Sequence, residues 1–408
     1  MDRPAAPTGP PDVSFSLDKS LTEGAAGRRT IPLASGSCAV VFRPGPEPDA
    51  PFPPEPPAPA RGGPRDGAGG SADGVMEMDS ASAWVIVLAG GSGTRLQGLT
   101  VDPLGCAAPK QFCRFRAEHT LLAGTIERCR SFVDLDHIIV AVMDAHRRWW
   151  EPELARYPGI RVLSQPENRG TAVALLHAAI RIHALAPRAV IVVTPADHDV
   201  DHEHVLVEAI ERALRLALEP PEPVILLGIE PRETDTEYGW ILPAGDDPRT
   251  TRPVRAFVEK PSARVGARLR HLGALWNTFI IAASPRALFA LYRDRDPELL
   301  SLGLALATRP AGATGAELYR RLEPRDFSRD VLRNGHERLR VLVVPPCGWT
   351  DLGTCRRVAE WLAVHPKEAA RAAGPLHWRE LPRPAAVDSR VAADADRATV
   401  GACELVQV

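Results

Sequence analysis

Short apolar segments alternate with longer amphipathic segments from residue 84 to about residue 230. The apolar segments are rich in β-branched residues, which is typical of buried parallel strands, whereas the longer ones have the spacing of amphipathic helices. The predicted strands cover residues 84–88, 137–142, 160–163, 189–194 and 224–228, and the predicted helices cover residues 120–131, 171–185 and 202–218. This order predicts right-handed crossovers and an α/β fold, with a mostly parallel sheet that carries helices on both faces.

Later segments continue the pattern less regularly. Residues 284–336 have a helical texture, and they lead to a predicted strand at residues 338–344. Residues beyond 365 show neither a hexapeptide repeat nor a pattern typical of a second domain, so we expect a single function.

The N-terminal segment has a different composition. Residues 1–80 hold 15 of the 40 prolines in this chain of 408 residues. Proline donates no backbone hydrogen bond and such a segment buries little apolar surface, so we expect disorder there, with Ser35–Phe42 as the only strand-like piece. Since the folded pattern begins just after Met76 and Met78, we expect the natural chain to start at one of these methionines.

The domain prediction follows from these boundaries. It consists of a disordered Pro/Gly-rich segment (1–80), a folded domain that carries the activity (81–365) and a short C-terminal extension (366–408).

Composition narrows the range of partners. The formal net charge of -2 gives no reason to expect nucleic acid or an acidic membrane surface as a partner. The seven cysteines form no CxxC pair, so neither a zinc knuckle nor a disulfide framework is indicated, and a reducing cytoplasm is expected. No apolar run approaches the roughly 18 residues that span a bilayer.

The first predicted strand runs into a glycine-rich loop. Gly90, Gly91 and Gly93 allow a sharp turn and a close approach of backbone N–H groups to an anion. Arg95 and Lys110 add two cations that can reach the same loop. We therefore predict that the loop binds a polyphosphate.

Spacing excludes two commoner phosphate-binding motifs. A dinucleotide fingerprint requires a third glycine three residues after Gly93, where Leu96 stands. A P-loop requires lysine and then serine or threonine after its last glycine, but Gly98 is followed by Leu99 and Thr100. For the glycines taken alone, a plain strand-to-helix turn is the alternative.

An acidic cluster follows the strand predicted at residues 189–194. Asp197 stands at the carboxyl end of that strand, where ligands of parallel sheets bind, and its carboxylate suits Mg²⁺. Asp197 could instead cap the helix that starts near residue 202. A transition-metal site is a further alternative, and its candidate ligands are Asp199, Asp201, His202, Glu203 and His204.

The glycine loop and the segment after it carry a family resemblance. Gly90-Gly-Ser-Gly-Thr-Arg-Leu96 followed by Pro109-Lys-Gln-Phe112 resembles the signature of the sugar-nucleotide pyrophosphorylases, and most of all the mannose-1-phosphate guanylyltransferases, in which Lys-Gln-Phe is typical. The resemblance implies the Rossmann-like fold of nucleotide-diphospho-sugar transferases, with Arg95 and Lys110 in catalysis. It also implies that the nucleotide is bound by Leu88, Ala89, Gly90, Gly91, Gly93 and Thr94.

Two aspartates match the metal ligands of that family. Asp197 stands in a Pro-Ala-Asp-His segment, and Asp351 stands in the segment Gly348-Trp-Thr-Asp-Leu-Gly353. The implied cofactor is Mg²⁺. Without the resemblance, Asp351 is typical of a tight turn with an Asx hydrogen bond.

The segment Gln165-Pro-Glu-Asn-Arg-Gly-Thr-Ala172 resembles the one that lies along the nucleoside in the family. The resemblance implies that Glu167, Asn168, Gly170 and Thr171 bind the nucleotide, and a carboxylate at residue 167 could accept from both N1–H and the amino group of guanine. The alternative is that Asn168 and Thr171 cap the following helix.

Three further segments resemble the sugar side of the family's site. They are Glu237-Tyr-Gly-Trp-Ile241, Phe257-Val-Glu-Lys-Pro261, which places Glu259 and Lys260 at a strand end, and Leu275-Trp-Asn-Thr-Phe279. They imply that Tyr238 and Gly239 contact the sugar, that Glu259 accepts from its hydroxyls and that Asn277 bonds another hydroxyl beside Trp276. Lys260 would neutralise the sugar phosphate. An isolated Glu-Lys pair is otherwise typical of a solvated surface. Many members have Ser-Gly after Trp-Asn, where this chain has Thr278 and Phe279.

The expected reaction is transfer of a nucleotidyl group from a nucleoside triphosphate, with GTP and mannose 1-phosphate as the expected substrates. The alternatives are the same chemistry with another base or sugar, a non-catalytic regulatory subunit that binds sugar nucleotides, and a metal-dependent hydrolase built on the acidic cluster. A homo-oligomer is compatible with the sequence but is not specified by it.

Overall fold

The structure, a computed structural model, describes residues 83–100, 107–116, 118–245, 251–307, 319–333 and 337–367. These residues lie in one compact unit. The predictions for residues 1–80, including Ser35–Phe42 and the two methionines, lie outside the described residues, as does nearly all of the C-terminal extension. The domain boundaries therefore stay predictions.

Nine strands make up the sheet in the described part of the chain. They are β1 (Ala83–Leu88), β2 (Ile138–Met143), β3 (Arg161–Gln165), β4 (Val190–Pro195), β5 (Val224–Ile229), β6 (Gly239–Pro243), β7 (Arg252–Glu259), β8 (Leu275–Ala283) and β9 (Leu339–Val343). Their order in the sheet is β3-β2-β1-β4-β8-β5-β9-β7-β6. The ladders show that seven of these strands point the same way, and that β7 and β8 run in the opposite direction. The predicted α/β fold is confirmed, and the sheet is mixed, because β8 and β7 pair antiparallel with their neighbours.

Helices cover both faces of this sheet. They are α1 (Leu121–Arg130), α2 (Arg147–Leu154), α3 (Thr171–Leu185), α4 (Glu203–Ala217), α5 (Ala263–His271), α6 (Pro285–Arg295), α7 (Pro297–Ala307) and α8 (Cys355–Val364). Buried side chains of α1, α2 and α4 pack on one face, and those of α3 and α6 pack on the other. α8 closes a smaller core with the glycine-loop segment, where Trp361 and Val358 meet Leu96, Leu99 and Phe115.

Local sequence accounts for where several helices begin. Thr120 caps α1 by accepting from the backbone N–H of Ala123 at 3.1 Å. Ser284 caps α6 in the same way, with Pro285 as the first helical residue, where its missing N–H costs no hydrogen bond. Thr354 caps α8.

The predicted strands up to β5, the strand at 338–344 and the three predicted helices agree with the structure to within two residues at each end. α2 was not predicted, because Pro152 lies inside it and only Trp150 and Leu154 are buried. β6 and β8 were not predicted as strands, although their aromatic residues were quoted as motifs. No helix among the described residues is long and apolar enough to cross a membrane.

Gly170 marks a close crossing of two chain segments at the start of α3. Its φ is +85°, and a Cβ at this residue would lie 2.1 Å from the carbonyl oxygen of Arg325. The crossing is held by backbone hydrogen bonds from Arg325 to Arg169 at 3.0 Å and from Ala172 to Arg325 at 3.1 Å. Only glycine fits there without moving the backbone.

We predict that Gly170→Ala lowers the free energy of unfolding by more than about 3 kcal/mol, because it adds a steric clash to the roughly 1–2 kcal/mol cost of a left-handed alanine. Gly273→Ala is the matched control, since Gly273 has φ +73° and open space around its Cβ position. Urea denaturation of both variants measures the difference. Equal losses would contradict a specific clash at residue 170.

Candidate active site

The glycine loop leaves the carboxyl end of β1 beside the loop that leaves β4. The two strands are parallel neighbours, and the N–H of Ala196 donates to the carbonyl of Leu88 at 3.0 Å. Gly93 has φ +61°, and a Cβ there would lie 2.9 Å from the backbone nitrogen of Lys110. The glycine is therefore required by close packing of the loop on the Lys-Gln-Phe segment.

Gln111 ties that segment to the loop. Its buried Nε2 donates to the carbonyl oxygens of Ala89 and Gly91, at 2.8 Å in each case. Both carbonyls thus face Gln111, which fixes the path of the loop. The sequence motif contained this residue, but its role was not predicted.

Lys110 joins the two predicted metal aspartates. Its side chain is only 6% exposed, and Nζ lies 2.9 Å from Oδ2 of Asp197. The same Nζ donates to the backbone carbonyl of Asp351. Lys110 and both aspartates, which were predicted from separate motifs, therefore meet at one point.

A backbone bridge brings the two aspartate loops together. The N–H of Asp199 donates to the carbonyl of Thr350 at 2.9 Å, and the N–H of Thr350 donates back at 3.0 Å. Two residues further along, the N–H of Asp201 donates to the carbonyl of Cys347 at 3.0 Å. Gly348, with φ +70°, packs so tightly on Asp201 that a Cβ would lie 2.2 Å from Oδ2.

Neighbouring cations keep both aspartates ionised. Burial alone would raise the pKa of Asp197, but the attraction of Lys110 outweighs it and holds this pKa below its usual range. Burial likewise opposes ionisation of Asp351, while Arg357, with Nη1 at 2.5 Å from Oδ1, and Lys110 lower its pKa. Two ionised carboxylates at one strand-end crevice fit the hard oxygen donors that a divalent cation such as Mg²⁺ takes.

Asp351 also makes the Asx hydrogen bond that is typical of a tight turn. Its Oδ1 accepts from the N–H of Gly353 at 2.9 Å and from the hydroxyl of Tyr238 at 3.1 Å. The cap alternative for Asp197 does not hold. The side-chain partners of Asp197 are Lys110 and His198, and the N-cap residue of α4 is His202, with no side-chain cap.

The acidic cluster at residues 199–204 is held by arginines. Asp199 receives two hydrogen bonds from Arg116, both at 2.8 Å, and Arg116 also pairs with Asp201 at 2.8 Å. Arg128 pairs with Glu203. Among the described residues, the group with the spacing of a metal site is Asp134, Asp136 and His137, which includes none of this cluster. The transition-metal interpretation is therefore not supported.

A cleft of about 180 Å³ opens beside Asp351, and we call it the sugar-side cleft after the prediction made for its residues. Tyr238 forms part of its wall, and the ring of Trp276 lies behind it at a centroid distance of 4.7 Å. The predicted sugar-contacting residues all line this cleft together with Arg95. The lining residues are Arg95, His198, Glu237, Tyr238, Gly239, Glu259, Lys260, Asn277, Phe279, Asp326, Ser328, Trp349 and Asp351.

Glu259, at the carboxyl end of β7 as predicted, has an unusual protonation state. Burial and the charge of Asp326 raise its pKa to about 7, although the attraction of Lys260 opposes both. Its Oε2 lies against Gly239, where a Cβ would approach it to 2.6 Å. A side chain at residue 239 would therefore clash with the carboxylate of Glu259, and glycine avoids this clash.

Arg95 lies across the mouth of the cleft. Its guanidinium pairs with Glu237 at 2.7 Å, and both side chains are about half exposed. A pair this exposed contributes little to stability, so Arg95 can exchange its partner at small cost.

The predicted nucleoside segment lies on the other side of the glycine loop, outside the sugar-side cleft. A Cβ on Gly90 would lie 3.2 Å from Nε2 of Gln165, which places the two segments side by side. Glu167 pairs with Arg169 at 2.7 Å and with Arg320 at 3.6 Å. The base-reading role of Glu167 stays a prediction.

The capping alternative for this segment does not hold. α3 has Gly170 at its N-cap position with no side-chain cap. Asn168 Oδ1 accepts from the N–H of Gly170 at 2.9 Å, and Thr171 Oγ1 accepts from the N–H of Phe327 at 2.8 Å. Both side chains thus order the chain around the helix start.

Comparison with known proteins agrees with this geometry. The family model described as "Nucleotidyl transferase" matches residues 84–363. The chain belongs to the nucleotidyl transferase family. The match includes the glycine loop, both aspartate loops and every residue of the cleft, so the predicted resemblance is confirmed at the level of the family.

Individual relatives of this nucleotidyl transferase are distant. A mannose-1-phosphate guanylyltransferase from Sinorhizobium fredii is 28% identical over 299 residues, which is 71% of this chain and 55% of the relative. An alginate biosynthesis protein AlgA from Pseudomonas putida is 33% identical over 208 residues, or 49% of this chain and 41% of the relative. The chain thus spans about half the length of the curated relatives that it matches.

Solved structures support the same fold. A structure described as mannose-1-phosphate geranyltransferase from Thermus thermophilus is 30% identical, has a TM-score of 0.58 and is matched over 68% of this chain and 79% of its own. A mannose-6-phosphate isomerase from Helicobacter pylori has a TM-score of 0.53 at 18% identity, over 66% of this chain and 99% of its own, and it bears on the fold alone.

The nucleotidyl transferase also has site residues that the sequence did not predict. The indole N–H of Trp349 donates to Nδ1 of His198 at 3.2 Å, and burial lowers the pKa of His198 to about 4. His198 is therefore neutral, with Nε2 towards Asp197 at 3.7 Å. Arg357 stacks on the Tyr238 ring at 3.9 Å and pairs with Asp235 at 2.8 Å. Only the position of Arg357 a few residues after Asp351 could have indicated its role.

We predict that the stability of the nucleotidyl transferase falls from pH 5 to pH 8 relative to Glu259→Gln. A carboxyl with its native pKa raised from 4.5 to about 7 binds more protons folded than unfolded, so its contribution is full at low pH and is lost through pH 7. The expected difference is on the order of 2 kcal/mol in urea denaturation at the two pH values. A parallel pH dependence of both proteins would contradict the raised pKa.

Proposed function

We propose that this chain transfers a guanylyl group from GTP to mannose 1-phosphate, with release of pyrophosphate. The observation that carries the proposal is the convergence of Lys110, Asp197 and Asp351 between the glycine loop and the sugar-side cleft. A triphosphate on the loop and a sugar phosphate in the cleft would meet at this point. The phosphate oxygen of the sugar attacks the α-phosphorus, and the bond to the pyrophosphate breaks.

Charge is the main obstacle to this reaction, because both reactants are anions. Asp197 and Asp351 would hold Mg²⁺, which when bound supplies charge neutralisation and in-line alignment. Lys110 stabilises charge on the α-phosphoryl oxygens, and Arg95 stabilises charge that grows on the pyrophosphate. Lys260 neutralises the sugar phosphate, while Tyr238, Gly239, Glu259 and Asn277 surround the sugar.

No general base is needed, because the attacking phosphate is already ionised near pH 7. The neutral His198 agrees with this. Its Nδ1 accepts from Trp349 and its other nitrogen faces Asp197, so it orders the aspartate loop and takes no proton from the nucleophile.

The choice of GTP and mannose 1-phosphate is supported by the relatives named mannose-1-phosphate guanylyltransferase and by the Lys-Gln-Phe segment. Another base or sugar is the nearest alternative, since the same charge arrangement serves any nucleoside triphosphate. A cytoplasmic location and a homo-oligomeric assembly stay predictions.

The first test is pyrophosphate release with Mg²⁺, over a grid of five nucleoside triphosphates against mannose, glucose, N-acetylglucosamine and fucose 1-phosphates. The expected maximum is at GTP with mannose 1-phosphate. A maximum elsewhere would keep the chemistry and overturn the substrates. No release anywhere, with sugar nucleotides still bound, would favour the regulatory alternative.

We predict that Arg95→Ala lowers turnover about 100-fold or more, because one charge-stabilising group is lost from the transition state. The variant should fold normally, since Arg95 is half exposed. Arg130→Ala is the control, because Arg130 is also about half exposed and pairs with Glu127 outside the cleft, so near-normal turnover is expected. Equal losses in both variants would contradict a specific role of Arg95 in the site.

We predict that Asp351→Asn lowers turnover on the order of 100-fold and shifts the Mg²⁺ requirement to higher concentration, because the amide accepts the same hydrogen bonds without the charge. Titration of Mn²⁺ in the presence of GTP, followed by electron paramagnetic resonance, measures binding independently of turnover. Asp134→Asn, in the exposed cluster Asp134, Asp136 and His137, is the control. Loss of Mn²⁺ binding in the control alone would place the metal elsewhere.

A further inference from the structure

Phe279 is held in a backbone conformation that phenylalanine rarely adopts. Its φ is +59°, and the other described non-glycine residues with positive φ are Lys260 and Leu352. Lys260 lines the sugar-side cleft, and Leu352 follows Asp351. Such strain persists only where the surrounding structure enforces it, and it concentrates at ligand sites.

A bulge in β8 enforces this conformation. Leu226 of β5 pairs with Ile281, and Gly228 pairs with Asn277, so that residues 278–280 of β8 oppose the single residue Leu227. Bulges of this kind redirect a side chain and are common beside active sites.

Side chains on either side of Phe279 fix the bulge. Thr278 Oγ1 donates to the carbonyl of Leu227 at 2.7 Å and accepts from the N–H of Ile280 at 3.1 Å. Asn277 Oδ1 accepts from the N–H of Phe279 at 3.2 Å. Three backbone groups at the bulge, the carbonyl of Leu227 and the N–H groups of Phe279 and Ile280, are thus satisfied by side chains, which helps to fix the position of Phe279.

The aromatic ring is anchored where it meets the cleft. It packs edge-on against the fully buried Phe327, with centroids 6.1 Å apart. Phe327 begins a π-helical turn, a rare local structure that is frequent at functional sites, and its neighbours Asp326 and Ser328 line the cleft with Phe279. A rigid aromatic wall therefore bounds a cleft of about 180 Å³, which is small beside the roughly 300–1,000 Å³ of common ligand pockets.

We propose that Phe279 sets the size of the sugar, admitting an unsubstituted hexose 1-phosphate and excluding one that carries an N-acetyl group on the ring. The proposal rests on the proposed function, because it assumes that this cleft takes the sugar. A 2-acetamido group adds three non-hydrogen atoms to the sugar hydroxyl that it replaces. A fixed apolar wall discriminates against even one extra methylene by roughly 10- to 200-fold.

The test compares kcat/KM for two sugars that differ only at C2, namely the best hexose 1-phosphate and its 2-acetamido-2-deoxy counterpart. Phe279→Gly removes the ring and suits the left-handed backbone, so the variant is expected to fold. Its ratio of acetamido sugar to hexose should rise at least about tenfold above that of the wild type. Phe279→Leu keeps most of the bulk and should change the ratio little.

Phe132→Ala is the matched control, because Phe132 is also half-buried but lies outside the cleft. Melting curves establish that each variant is folded. A ratio in folded Phe279→Gly that stays within about threefold of the wild-type ratio would overturn the proposal.

Calorimetric titration of both sugar 1-phosphates separates this proposal from the proposed function. If the wild type turns over no sugar, the proposed function fails. The role of Phe279 is then decided by the ratio of the two binding constants, acetamido sugar to hexose, which should rise at least about tenfold in Phe279→Gly. Failure of both sugars to bind the wild type would overturn both.

Discussion

The bridge between Asp199 and Thr350 is the constraint on which the site depends. It joins the loop after β4 to the loop after β9, although these strands are not neighbours in the sheet, because β8 and β5 lie between them. These two backbone hydrogen bonds, with the bond from Asp201 to Cys347 and the contacts of Lys110, hold the loops of Asp197 and Asp351 against each other. The bridge therefore brings the loops after β4 and β9 together, so that Asp197 and Asp351 form one anionic crevice.

An anionic crevice must be balanced by cations, because two carboxylates in a poorly solvated place repel each other. Lys110 and Arg357 balance the charges of Asp197 and Asp351. Arg116 balances the charge of Asp199, which lies next to these two aspartates on the bridge. Arg116 donates to the carboxylate of Asp199, and the indole N–H of Trp361 donates to the same carboxylate at 2.6 Å. α8 is thereby attached to the loop that it helps to position, which explains why the match to the family extends to the end of this helix.

The sequence predicted the parts of the fold that depend on local pattern. Buried strands, amphipathic helices and strand-end aspartates are visible in the residue order, and these predictions agree with the structure. The sequence could not predict that β8 inserts antiparallel between β4 and β5, or that Gln111 and Arg357 hold the site, because these features depend on contacts between distant segments. The sequence also could not predict the left-handed backbone conformation of Phe279, since phenylalanine has no intrinsic preference for it.

Three carboxylates of the candidate site have different pKa values for reasons that can be traced to their neighbours. Asp197 and Asp351 each touch a cation directly, so attraction exceeds the cost of burial and their pKa values fall. Glu259 is buried opposite Asp326, and the attraction of Lys260 does not offset burial and repulsion, so its pKa rises to about 7. The side that would hold the metal is therefore permanently charged, whereas the sugar side can accept or donate a hydrogen bond near neutral pH. That division would suit the proposed binding of highly charged phosphates and a neutral sugar ring in neighbouring parts of one site.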